Sequence, residues 1–73
     1  MSNIHPATAQ VLRHFAYDHL PPHLQAVSVQ FHDLTHRLAA TLTGPELTHA
    51  LVRLLEAKDW AVRAALTDAT PED

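Results

Sequence analysis

The chain has no cysteine, one glycine, one tryptophan and one tyrosine in 73 residues. Without cysteine there are no disulfides and no thiolate metal sites, the usual staples of so short a chain. With Gly44 as the only glycine, there is no phosphate-cradling glycine loop. No apolar run approaches the ~20 residues of a membrane span. The first residues carry no apolar signal segment, so a cytoplasmic location is expected. Cations are scarce too: five lysines and arginines stand against eight acidic residues, for a net charge of −3 with neutral histidines. That balance argues against long nucleic acid as a partner, because a basic face normally supplies such affinity.

Apolar side chains make up 47% of the chain, and many are alanine, leucine or valine. A chain of this length buries only roughly 60% of the surface its unfolded form exposes. Excess apolar surface on a small helical chain is commonly covered by a second copy, so a homo-oligomer is expected. Seven histidines make the surface field depend on pH.

Neither a period-two strand pattern nor an internal repeat is present, and prolines and the glycine fall at boundaries. The pattern predicts one all-α domain over residues 1–73. A first helix is expected over about 6–17, opened by Pro6 and edged by Val11, Leu12 and Phe15. It should stop before Pro21-Pro22, since residues preceding proline avoid helical angles. A second helix is expected over about 22–42. Its apolar stripe of Leu24, Val27, Phe31, Leu34, Leu38 and Leu42 recurs at three- and four-residue steps. Thr43 and Glu46 are spaced as a capping box at the head of a third helix over about 45–66, with residues 67–73 as a frayed acidic tail. Helices two and three should form an antiparallel hairpin with helix one packed across it.

Trp60 is placed against this pattern. With about 100° per residue, Leu47, Leu51, Leu54, Ala61 and Ala65 share one stripe. Trp60 falls nearly opposite, among Arg53, Glu56 and Arg63. An indole set between arginines on an outer face usually contacts something beyond its own core, so Trp60 and Arg53 are expected at an oligomer interface. Lys58 lies near the apolar stripe, where its stem can be buried. Guanidinium groups beside aromatic rings also grip small phosphodiesters, pairing the phosphate charge while rings stack on bases. Glu56 and Asp59 are the simpler partners for these cations.

Other chemistry is thinly represented. His32-Asp33-Leu34-Thr35-His36 sets two imidazoles one turn apart, a spacing similar to the H-E-x-x-H zinc signature. The glutamate is replaced by a shorter aspartate and no third ligand follows at a familiar spacing. A surface histidine pair is the simpler account, and a metal-dependent hydrolase using His32 and His36 is a minor alternative. Ser28 lies mid-helix with no base in view. The chain therefore reads as a non-enzyme without a metal or other cofactor.

Phe15-Ala16-Tyr17-Asp18-His19-Leu20-Pro21, followed by Leu24-Gln25, Glu46, Ala50, Leu54, Glu56-Ala57 and Trp60-Ala61, resembles the small phage proteins that counter CBASS immunity by sequestering cyclic oligonucleotides. The resemblance covers roughly residues 11 to 67. It implies a helical protein that assembles as a compact homo-oligomer, typically a hexamer. It further implies capture of cyclic dinucleotides between paired protomers, and for some members cyclic trinucleotides near three-fold axes, in the host cytoplasm and without cleavage. By position, Tyr17 matches the stacking tyrosine. Either Arg37 or His36 stands for the basic residue of the second helix. Arg63 is the nearest basic residue to the arginine expected late in the last helix, and Thr67 occupies the matching position. A protein-binding module using the Trp60 face, such as an antirepressor or assembly subunit, is the other reading.

Overall fold

Prolines open each of the three helices. In the computed structural model, which describes residues 5–69, these are α1 (Pro6–Arg13), α2 (Pro22–Thr41) and α3 (Pro45–Ala69), with no strand among the described residues. Proline suits this place because its missing N–H would have had no helical partner, and its fixed φ is already helical. At α1 the preceding residue supplies the cap: the Ala7 amide donates to His5 Nδ1 at 3.1 Å. No described helix is long and apolar enough to cross a membrane.

Two helix ends and one cap differ from the pattern-based expectation. α1 ends at Arg13 rather than near Tyr17. Beyond it the amides of His14 and Phe15 reach back only three residues, to Val11 and Leu12, at 3.0 Å each. This tightening lets the Phe15 ring turn inward, where it is fully buried. At the other end, α3 continues through Thr67 to Ala69, so residues 67–69 of the expected tail are helical; the rest of that expectation, residues 70–73, lies outside those described. The capping box between Thr43 and Glu46 is replaced by a glycine start. Gly44, at φ 96°, presents its carbonyl to the amides of Leu47 and Thr48 at 3.1 and 3.4 Å. With Pro45 as the first helical residue, Glu46 sits one place too early to reach back as a box requires.

Few side chains are buried. Leu12, Leu47 and Leu51 form one cluster, with Val11, Leu38 and Ala39 packed against it; Phe15 and Leu24 are also buried. The remaining buried places hold hydroxyls: Thr8, Ser28 and Thr35. The Thr8 and Thr48 hydroxyls pair at 3.1 Å, and the Thr35 hydroxyl donates to the Phe31 and His32 carbonyls at 2.7 and 3.1 Å. The buried line of α2 is thus Leu24, Ser28 and Thr35, rotated away from the apolar stripe. Val27, Phe31, Leu34 and Leu38 on its flank are only half-buried, and Leu42 is exposed.

The result is elongated. The radius of gyration is 13.7 Å and the extents are 49 × 21 × 16 Å, whereas a compact domain of this length would have a radius near ~11 Å.

Candidate functional site

The segment from His14 to Pro21 joins α1 to α2, and the two groups of candidate residues sit beside it. Its shape is set by hydrogen bonds to main-chain carbonyls. The Leu20 amide donates to the Tyr17 carbonyl at 3.0 Å, and the Gln25 side chain of α2 donates to the Leu20 and Asp18 carbonyls at 2.7 and 3.5 Å. From the other side the Lys58 ammonium donates to the His14 carbonyl at 3.0 Å. A free carbonyl at a helix end attracts a cation in this way.

The first group is aromatic. Tyr17 is half-buried, and its ring meets His32 edge-on with centroids 5.0 Å apart and planes at 75°. His32 in turn lies 4.2 Å from the exposed His36 ring, tilted by 36°. Asp33 Oδ1 is 3.2 Å from His32 Nδ1. Desolvation, with a smaller contribution from nearby His32, lowers the pKa of His36 below the ordinary 6.5, and Asp33 opposes this in part. Ala9, Leu12, Arg13 and Ala16 complete an open groove beside the two imidazoles. Tyr17 and His36, expected together, are therefore linked through His32. Arg37 lies elsewhere on α2, on a shallow recess with Gln30, Phe31, Asp33 and Leu34.

The second group is cationic. Lys58, Arg63, His14, His19 and Ser28 line one recess of about 290 Å³, with Asp59 at its side. Lys58 is mostly buried: besides the His14 carbonyl, its ammonium lies 5.9 Å from the Phe15 ring centroid and 3.6 Å from Asp59 Oδ1. The Arg63 guanidinium lies 5.0 Å from the Trp60 ring, which is 69% exposed. Thr67 donates its hydroxyl to the Arg63 carbonyl at 3.0 Å, one turn further along α3. Arg53 pairs with Glu56 at 3.2 Å in solvent.

The sequence singled out Ser28 only as a mid-helix serine with no base in view and did not show its place in this recess. Its hydroxyl is fully buried and has no hydrogen-bond partner. A buried orphan hydroxyl costs about 1–3 kcal/mol, so such groups are uncommon and call for a cause. His14 and His19 were also missed. The one available signal was the step from Leu24 to Ser28 to Thr35, which places small hydroxyls in line with a buried leucine on one helix face.

Chemically, the recess offers two permanent cations, one of them 3.6 Å from the Asp59 carboxylate, with two imidazoles and one spare hydroxyl, within a space that fits a phosphate-sized anion. The Ser28 hydroxyl has no hydrogen-bonded base to activate it as a nucleophile. Among the described residues no three histidine or acidic side chains converge as metal ligands. No protein-family model matches the chain, and neither curated proteins nor solved structures provide a match.

Proposed function

We propose that the chain folds back as an antiparallel hairpin with α1 across it, assembles with copies of itself, and sequesters cyclic dinucleotides without cleaving them. Cyclic trinucleotides of the same chemistry fall within the reading. The observation that carries it is the recess shared by Lys58, Arg63, His14, His19 and the unpartnered Ser28 hydroxyl, with the exposed Trp60 ring beside Arg63. A phosphodiester placed there pairs with the guanidinium and accepts a hydrogen bond from Ser28, while an indole offers a face to a base.

Self-association is supported by the half-exposed flank of Val27, Phe31 and Leu34 and by the elongated shape. A two-fold axis crossing the exposed side of α2 beside Leu34, between Asp33 and Arg37, would set Asp33 of one copy against the partner's Arg37. The same patch then serves both sides, as an isologous interface requires. A ligand with two equivalent phosphates suits such symmetry, each copy supplying the same cations. Copies placed this way also concentrate positive potential without making each chain basic.

Nanomolar capture requires about −12 kcal/mol. Base stacking at ~1–3 kcal/mol per base gives part of this, and charge-assisted phosphate contacts with enclosure must give the rest. The test is calorimetric titration with cyclic dinucleotides, joined to native mass spectrometry that reports stoichiometry and ligand integrity. Tight binding of intact ligand, weakened at least about tenfold by Arg63→Ala, is the expected result. Absence of binding across a panel of cyclic di- and trinucleotides overturns it. The exposure of Trp60 also favours a protein-binding module; tight capture of a host protein, lost in Trp60→Ala, would make that the better account.

A further inference from the structure

We propose that His32 and His36 form a two-imidazole site for a zinc-class divalent cation on α2, separate from the phosphate recess. Residues four apart share a helix face, and here the two rings already lie 4.2 Å apart with a 36° tilt. Zinc–nitrogen bonds of about 2.0–2.1 Å at a tetrahedral angle place two donor nitrogens ~3.3 Å apart, so a small splay of these rings suffices.

The surroundings are those of an oriented ligand. Asp33 Oδ1 lies 3.2 Å from His32 Nδ1. A carboxylate there accepts a hydrogen bond from Nδ1–H and leaves Nε2 as the lone-pair donor, the arrangement commonly found behind metal-bound histidine. Tyr17, from the segment that joins α1 to α2, meets the His32 ring edge-on at 5.0 Å. Imidazole is a borderline-soft ligand that selects zinc, copper or nickel over magnesium or calcium.

One chain provides two ligands, since no third histidine or acidic side chain converges among the described residues. The remaining positions are left to water or to anion oxygens, and Arg13 on the wall of the same groove favours an anion. Affinity is accordingly far below that of a four-ligand structural site.

Zinc chloride titration against a chromophoric chelator, with the imidazole resonances followed by NMR, tests the site on the full chain. The expected result is one zinc per chain, with shifts confined to the His32 and His36 rings. His36→Ala, at an exposed position, should cost about tenfold or more in affinity, and Asp33→Asn about tenfold. His5→Ala/His49→Ala, which removes the two histidines of the recess between the heads of α1 and α3, should bind as the parent does. Zinc binding retained in His32→Ala/His36→Ala, or no removal of zinc from the chelator by the parent chain, overturns the site. Neither outcome bears on cyclic-nucleotide capture, which is read by a separate titration without metal.

Discussion

Lys58 donates from the middle of α3 to the carbonyl of His14, 44 residues earlier, at 3.0 Å. That contact ties the end of α1 to α3 across the recess it helps to line. Its side chain is only 15% exposed, so the ammonium is largely withdrawn from water and depends on this carbonyl and on Asp59. Lys58→Met keeps the buried stem and removes the donor. A hydrogen bond from a charged group contributes about 1.5–3 kcal/mol. Each kcal/mol shifts Tm by roughly 4–8 °C in a domain of this size. A melt by circular dichroism should therefore fall by several degrees or more, and an unchanged Tm would show the contact to be idle.

Ser28→Ala should move stability and binding in opposite directions. Removing a buried hydroxyl that bonds to nothing relieves a desolvation cost of about 1–3 kcal/mol, so the unliganded chain should melt higher. The same change deletes a donor to a bound phosphate, so calorimetry should show weaker capture of a cyclic dinucleotide. A lower Tm would mean that the hydroxyl has a partner in solution.

The lowered pKa of His36 has a defined consequence for stability. In the folded chain the neutral imidazole is favoured relative to the unfolded chain, where the ordinary value of 6.5 applies. This contribution is present in full above that value and is lost as pH falls below it, through the folded-state pKa. NMR titration of the His36 ring should give a midpoint below 6.5. Melts at acidic and neutral pH should differ less in His36→Gln than in the parent.

The α2 flank gives a test of assembly. Arg37→Asp sets like charges together in the proposed two-fold pairing and should shift the sedimentation profile toward monomer. Adding Asp33→Arg reverses both signs and should restore the larger species. If the single and the double variant sediment as the parent does, a different face joins the copies.

The three helices were legible because proline starts and three- and four-residue apolar steps are local signals. Where α1 stops was not, because Phe15 turns inward and Lys58 caps the end from a distant part of the chain. The face of α2 was misjudged for a related reason. Hydrophobicity points to Val27, Phe31 and Leu34, but the buried line contains Ser28 and Thr35, whose short side chains let backbone and neighbours approach closely. Within the site, Trp60 and Arg63 were legible as an outward pair on one helix. The grouping of Lys58 with His14, His19 and Ser28 was not, since it needs α2, α3 and the segment between α1 and α2 to come together.

One amide, that of Gln25, holds the carbonyls of both Asp18 and Leu20. The turn bearing Tyr17 and His19 is therefore bolted to the head of α2, so a tilt of that head must carry phenol and imidazole along together. Pressure applied at the histidine-lined groove would reach the cation-lined hollow partly through this strut, beside the Leu24 and Gln25 main-chain amides that hold the Pro21 carbonyl, and Gln25→Ala would loosen the coupling between the two sides.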